Sequence, residues 1–489
     1  MNISNRSSPI SKFKKNKLHL NESNAVNFNG WYSSTLITQS GTSIIEPYIP
    51  LFAQSIGASN SQIGLLTGLF ALINITQLIW AQLAIKIGNN KFFVFFGQML
   101  MVTLYIPMAF LKLGYFIILL VVRFFQGFFN SAAIPSLATL QSDYISEHDR
   151  ASKVAKFTYL GLVGSFVGTL VGGYLFDYLN TIISPEETYS LMFVFSAIIG
   201  FLGTIVFFLS VPSTTKLLPL RDLLDPVSFI NRDLKFQKSN IKFSTKIRNY
   251  IKKFKNFWFF TIFGVIFYFG VYTISPFFII IEIVYFQLSF IQASLLTAIS
   301  VVAQVTVSIT LVRKNLINKY GRKPFLFLGM VLILMFTILL AVPYYFQDFM
   351  SIDMRFYFCF ISWIVLGLGW GLFNSTIAVL LLDIVHPQYR SLLIAVFNAF
   401  SGISMFVAPI IGGLLIDFTH SLLFSFILRF VLIFVSILFF IKMVKEPEIS
   451  GIELKPIRNV FPFIGRMSAK GPELGIAYGN ERMIRKKHL

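Results

Sequence analysis

The sequence predicts an all-α membrane protein, with twelve transmembrane helices arranged as two six-helix pseudo-repeats. Three observations carry this. Only 13% of the 489 residues are charged and 55% are hydrophobic, against a charged share of about 25% in a soluble domain. The apolar residues gather into runs near the ~20 residues that a helix needs to cross a hydrocarbon core. Polar and glycine landmarks in the first half of the chain return in the second.

Taken in order, the runs place spans 1 to 6 at about 31–55, 63–86, 92–112, 115–140, 154–178 and 189–211. After a polar gap, spans 7 to 12 fall at 257–285, 290–313, 325–346, 356–382, 391–418 and 421–443. The expected division is a tail (1–28), a six-helix bundle (29–211), a basic linker (212–256), a second bundle (257–443) and a C-terminal tail (444–489). The first tail carries Arg6, Lys12, Lys14, Lys15 and Lys17. It is too polar for a signal-peptide core, so span 1 is expected to stay in the mature chain.

Excess Lys and Arg marks the cytoplasmic side of a membrane protein. Lys86 and Lys91, Arg150, Lys153 and Lys156, Lys314, Lys319, Arg322 and Lys323, and Arg390 all fall on the side of that tail. The opposite loops hold Glu186, Glu187, Asp348 and Asp353. The expectation is a multi-pass protein of the cell membrane with both termini in the cytoplasm. The end of the linker, "KIRNYIKKFKNF", suits either a basic helix on anionic lipid headgroups or a solvated loop.

Several function classes fall away. One cysteine, Cys359, leaves no disulfide framework and no cysteine metal cluster. The five histidines lie outside the apolar runs or at their edges, so no catalytic constellation, metal site or cofactor is expected. The net charge of +20 sits in loops and tails on one side, which does not describe a nucleic-acid face. No G-x-x-x-x-G-K-[ST] loop is present to cradle a nucleotide phosphate. A two-fold repeat also supplies no ring of like residues for a channel filter.

The repeat is read from landmarks. "QSDYISEHDR" (141–150) answers "LLDIVHPQYR" (381–390), so Asp143 meets Asp383 and Arg150 meets Arg390 at an offset of 240. Gly127 meets Gly367, Gly172-Gly173 meets Gly412-Gly413, and Asp177 meets Asp417 at the same offset. "SNSQIGLL" (59–66) resembles "SFIQASLL" (289–296) at an offset of 230. Two six-helix halves related in this way are a transporter architecture, with the substrate site between them near mid-membrane.

Span 4, "YFIILLVVRFFQGFFNSAAIPSLATL", holds one full charge, Arg123. Such a charge near a helix centre costs roughly 2.5–3.5 kcal/mol on insertion scales, so it calls for a partner. Gln126, Gly127 and Asn130 follow Arg123 at helical spacing and share its face. Span 1 carries a matching stripe of Thr35, Thr38 or Gln39, Thr42 and Glu46, the carboxylate lying well inside the first half. At ~1.5 Å per residue, Arg123 is roughly 12 Å and Glu46 roughly 8 Å below the same boundary, so they can meet. Three roles are open to them: a proton-responsive pair, a static ion pair, or direct substrate contact. In span 7, Tyr268, Tyr272 and Ser275 share a face, and Glu282 is expected as a snorkelling rim charge. Asn374 and Asn398 are uncharged candidates for substrate hydrogen bonds or for pinning helices. Asp177 and Asp417 are expected at solvent-accessible outer ends.

With these residues in place, the chain resembles the major facilitator superfamily over essentially all twelve spans. That family carries roughly G-x-x-x-D-R-x-G-R-K between spans 2 and 3. Here the loop around Gly88 reads "IKIGNNK" and its repeat around Gly321 reads "NKYGRKP"; both lack the acid that helps latch the cytoplasmic gate. The resemblance makes Lys86, Gly88, Asp143, Arg150, Lys319, Gly321, Arg322, Lys323, Asp383 and Arg390 the expected gating-loop residues. "PYIP" (47–50), "RFFQG" (123–127) and "GSFVGTLVGG" (164–173) are similar to motifs of the drug–proton antiporter branch, with Thr169 where that branch has proline. Packing of small residues also accounts for the glycine pattern.

The resemblance implies a cavity lined by spans 1, 4, 7 and 10. Gln39, Thr42, Gln126, Asn130, Tyr268, Tyr272, Asn374 and Asn398 are the expected substrate residues, with Glu46 and Arg123 expected to couple protons. The reading is a proton-coupled secondary transporter exporting hydrophobic or amphiphilic small molecules, acting as a monomer in the lipid bilayer without nucleic acid. The alternative is coupled or facilitated uptake of a sugar or other small metabolite.

Overall fold

A computed structural model describes residues 26–145, 150–212, 254–313, 316–385 and 390–446. Residues 1–25, 213–253 and 447–489, which hold most of both tails and of the basic linker, lie outside these residues with His148, His386 and Lys314, as do the side chains of Lys86, Arg150 and Arg390. Twelve membrane spans follow one another in two sets of six. Spans 3 to 12 are each long and apolar enough to cross a membrane by length and composition alone. Spans 1 and 2 are composite. Span 1 joins the helices Phe28–Ile45 and Ile49–Ser55 through a 3-10 turn, Glu46–Tyr48. Span 2 joins Asn60–Leu72 and Gln77–Ile87 through a 3-10 turn, Ile73–Thr76.

Proline causes the break in span 1. Pro47 has no N–H, so the carbonyl of Ser43 loses its helical partner. The Thr169 hydroxyl of span 5 reaches that oxygen at 3.5 Å. The threonine that stands in place of a proline in "GSFVGTLVGG" thereby answers a backbone group that another proline has released. Span 7 repeats the break: the helix Lys255–Tyr272 passes through a 3-10 turn at Ser275–Phe277, containing Pro276, into a π-turn at Ile281–Tyr285.

The paired glycines divide their work between the two faces of a helix. A methyl group on Gly172 of span 5 (Arg150–Asn180) would collide with the Ile44 carbonyl of span 1, and one on Gly412 of span 11 (Arg390–Thr419) with the Thr273 carbonyl of span 7. Each of these contacts stays within one half. Their neighbours face the other half: a Cβ on Gly173 would sit 2.7 Å from the Phe290 carbonyl oxygen of span 8 (Phe290–Arg313). One on Gly413 would press on Asn60 and Ser61 at the start of span 2. Gly64 and Gly68 of span 2 lie against the backbone of Pro409 and Phe406 in the same way. These close approaches between the halves run from mid-span to the end of the bundle remote from the chain termini.

At that end two carboxylates complete the seam. The first turns of spans 2 and 8 carry orphan N–H groups that need acceptors. Ser59 and Gln62 form a reciprocal capping box for the N-cap and N3 amides, with Ser59 N–H donating to Gln62 Oε1 at 2.9 Å. Asp417, from the opposite half, takes the remaining two, accepting from Asn60 N at 3.0 Å and Ser61 N at 2.8 Å, and also from Asn60 Nδ2 at 2.9 Å. The arrangement repeats at span 8, where Ser289 and Gln292 form the box. Asp177 accepts there from Phe290 N at 3.0 Å and Ile291 N at 2.8 Å. The two acids are part-exposed at the ends of spans 5 and 11, as expected, and each in addition caps a helix of the other half.

A lost helix cap costs about 1 kcal/mol. In hydrogen–deuterium exchange, Asp417→Ala should speed exchange of the Asn60 and Ser61 amides about fivefold. Asp177→Ala should do the same at Phe290 and Ile291, with the amides of span 6 unchanged. Exchange equal to the parent protein would show that the caps contribute nothing to holding this end closed.

Candidate functional site

Arg123 and Glu46 meet. The guanidinium grips the carboxylate at two points, Nη2 to Oε1 at 2.6 Å and Nη1 to Oε2 at 3.1 Å. Such bidentate geometry is the strongest form of this pair. Nη1 also donates to Gln126 Oε1 at 2.8 Å, and Gln126 Nε2 donates to the Met101 carbonyl of span 3 at 3.1 Å. The guanidinium lies over the Phe70 ring of span 2, 4.9 Å from its centroid. Tyr105 of span 3 adds a hydroxyl donor to Glu46 Oε2 at 2.9 Å. Four spans thus close around one charge.

The two partners differ in access. The Arg123 side chain is 6% exposed and that of Glu46 is 38% exposed. The carboxylate projects from the Pro47 break towards open space, while the cation is sealed behind it. Gln126, expected in the substrate cavity, is 1% exposed with both ends of its amide engaged, so it supports Arg123. Thr42 turns its hydroxyl back onto Thr38 and Gln39 carbonyls, Gln39 is exposed, and Asn130 is half-buried.

A cavity of about 510 Å³ opens in the second half, a size suited to a small molecule. Tyr268, Tyr272, Ser275 and Phe278 of span 7 line it, with Trp363, Trp370 and Asn374 of span 10 (Ile352–Ile384). Ser300, Gln304, Met405 and Arg429 complete the polar and flexible part of the wall. Of the expected substrate residues, Tyr268, Tyr272 and Asn374 line this space. Gln39, Thr42, Gln126 and Asn130 do not, because its wall is built from spans 7, 8, 10, 11 and 12; from span 11 it is Met405 and not Asn398 that reaches the space.

Glu282 corrects another expectation. It is 1% exposed, and Trp363 Nε1 donates to its Oε1 at 2.6 Å. The residue count from Phe257 suggests a rim position; instead Glu282, within the π-turn Ile281–Tyr285, is enclosed against Trp363 of span 10.

A family model for the Major Facilitator Superfamily matches residues 31–283 and, again, residues 260–469. The chain belongs to the major facilitator superfamily. It is a membrane transporter and not an enzyme. Among curated members, an uncharacterised MFS-type transporter of Methanocaldococcus jannaschii is 30% identical over 152 residues, 29% of this chain and 37% of that one. A multidrug resistance efflux pump PmrA homologue of Lactococcus lactis is 26% identical over 160 residues, 30% of this chain and 38% of its own length. These matches span little more than a third of the curated relatives. The solved nucleoside transporter NupG superposes with a TM-score of 0.66 at 13% identity, covering 84% of this chain and 99% of its own. A D-xylose–proton symporter gives 0.65 at 14% identity over 86% and 97%. At such identities the structures attest the superfamily fold alone.

The superfamily's loop motif is also placed. Gly88 and Gly321 end their helices with positive φ, 70° and 91°, which glycine adopts without strain. Arg322 Nε lies 2.9 Å from Asp383 Oδ2, an ion pair whose N–H does not point squarely at the oxygen. Lys323 donates to the Ile441 and Val444 carbonyls at the C-terminus of span 12 (Leu423–Met443), at 2.9 and 2.7 Å. Glu446 accepts from the Arg322 backbone N–H. Lys319 instead lies over its neighbour Tyr320, and Asp143 stays exposed. Lys91 over Phe208 at 4.2 Å and Lys323 over Phe440 at 5.6 Å repeat one contact in both halves.

Sequence reasoning missed Tyr105 and Arg429. Tyr105 had no signal beyond a hydroxyl in an apolar span that also holds Thr103. Arg429 had the signal that exposed Arg123, a single full charge in a bilayer-length run.

The difference in access has a measurable consequence. Removing one partner of a buried ion pair costs about 3–5 kcal/mol because the other charge is stranded. Glu46→Gln strands a sealed cation, whereas Arg123→Gln strands a carboxylate that water can reach. Glu46→Gln should therefore lower the thermal midpoint of the purified protein more than Arg123→Gln does. The reverse order would show that the guanidinium finds other compensation.

Proposed function

We propose that this superfamily member is a proton-coupled secondary transporter that exports hydrophobic or amphiphilic small molecules by alternating access. The observation that carries the reading is the Glu46 carboxylate, reachable from open space yet held bidentate by a sealed arginine at a proline break. Proton arrival at Glu46 removes the anion that balances Arg123, and the guanidinium then depends on Gln126 and the Phe70 face. The pair thus links a proton to the relative position of spans 1 and 4. The aromatic wall of the second-half cavity supports an apolar or amphiphilic cargo, as does partial similarity to a multidrug efflux pump homologue.

The basic residues on the side of the termini support a cytoplasmic location for both ends. On that orientation the two aspartate caps hold the outer end together. Each chain supplies both halves, in keeping with a functional monomer.

The test uses proteoliposomes containing a trapped pH dye and a panel of lipophilic cations, organic acids and sugars. Compound-driven proton movement in the parent protein should vanish in Glu46→Gln while compound binding persists. Unchanged proton movement in that variant would return Glu46 and Arg123 to a structural role. Transport of a sugar without proton movement would favour facilitated uptake.

A further inference from the structure

We propose that Arg429 is the anion-binding residue of the second-half cavity, and that the cargo carries one carboxylate on an aromatic or apolar body. This rests on the reading that cargo enters that cavity. Arg429 is 1% exposed in span 12. Its Nε donates to Thr337 Oγ1 of span 9 (Lys323–Tyr345) at 2.8 Å, and its Nη1 donates to the Val271 carbonyl of span 7. Nη2 has no partner. Two aromatic faces flank the guanidinium carbon, Phe278 at 5.3 Å and Phe336 at 5.6 Å from the ring centroids. Among the described residues, no carboxylate lies within ion-pair distance of it.

The contrast with Arg123 carries the inference. Both arginines are sealed in the membrane interior and both are fixed by hydrogen bonds. Arg123 has a carboxylate of its own, and Arg429 does not. An uncompensated buried charge is expensive, and its retention in a span marks a functional position with a partner to be named. Two hydrogen bonds pin span 12 to spans 7 and 9, but pinning needs no net charge. Arg429 lines a cavity whose other polar members, Ser275, Ser300, Gln304 and Asn374, are neutral. The buried carboxylate of the same half, Glu282, is turned to Trp363 Nε1 at 2.6 Å and forms no ion pair with Arg429 among the described residues, so the charge that balances Arg429 is one that arrives with a ligand.

The chemistry of that ligand follows from the wall. One guanidinium balances one negative charge, so a monoanionic carboxylate leaves the site neutral, whereas a phosphate of about −1.5 to −2 leaves an excess in a low-dielectric space. Tyr268, Tyr272, Trp363, Trp370 and Phe278 supply aromatic faces for the rest of the molecule. The neutral amides and hydroxyls can hold the second carboxylate oxygen.

Equilibrium binding to the full-length protein in nanodiscs, without a pH gradient, tests this separately from transport. The readout is tryptophan quenching, since Trp363 and Trp370 line the cavity. The probes are 2-naphthoate, the isosteric 2-naphthamide and 2-naphthyl phosphate. The parent protein should bind naphthoate at least about tenfold more tightly than the amide, as expected for a hydrogen bond to a charged group, and more tightly than the phosphate. Arg429→Gln should reduce naphthoate to the level of the amide, and Trp370→Phe should remove part of the quench.

Equal binding of acid and amide, preference for the phosphate, no binding of any probe, or an unchanged preference in Arg429→Gln would each overturn the proposal. If Arg429→Gln does not fold, the parent's preference and the location of the quench in Trp370→Phe decide between the same outcomes. Carboxylate binding without proton movement in liposomes would keep this site and remove the coupling reading. Proton movement without carboxylate preference would do the opposite.

Discussion

A guanidinium inside a hydrocarbon layer has no water to turn to, and every contact it makes must be supplied by protein. Arg123 shows what satisfying one such group requires: a carboxylate from span 1, an amide from its own helix, an aromatic face from span 2, and through Gln126 a carbonyl of span 3. The carboxylate can reach it because Pro47 interrupts the helix beside Glu46. The interruption in turn frees a carbonyl that Thr169 of span 5 answers. One charge therefore fixes the mutual positions of most of the first half, and moving any of these helices changes the environment of the same carboxylate.

The second half uses the same frame for different chemistry. At the offset of 240 residues, Trp363 stands where Arg123 does, Leu366 where Gln126 does, and Trp370 where Asn130 does. Beside the second proline break, Ser275 takes the place of Glu46. The structural landmarks stay: the paired glycines, the aspartate caps, and the lysines over Phe208 and Phe440. What the repeat preserves is the seam and the loop packing. What it releases is the interior, where one half holds an ion pair and the other holds aromatic rings between a cation, Arg429, and a carboxylate, Glu282, that do not pair with each other.

The parts of this arrangement that were legible in the sequence share a property: they are written in periods. Bilayer-length apolar runs placed all twelve spans within a few residues. Helical phase brought Glu46 to Arg123, and the fixed offset aligned the halves. What was not legible lies in contacts between helices, which no period encodes. A residue count puts Glu282 at the rim, but Trp363 of span 10 encloses it. The caps made by Asp177 and Asp417 left no local signal, because nothing near either residue reveals a helix arriving from the opposite half. Gln126 shared the helical face of Arg123, but its proximity to that arginine turned it into a support and not a wall of the cavity.

The two aspartate caps differ from a salt bridge in what they require of the residues they hold. Their main partners are peptide N–H groups, which every residue except proline provides. Phe290, Ile291, Asn60 and Ser61 could each be exchanged for most other amino acids without losing the backbone donor. In a set of related chains the contact would leave its mark on one side only, as a persistent acid opposite positions free to drift. Correlated changes between columns would pass over it, and the excluded residue, proline, would be its sole trace on the helix that is held.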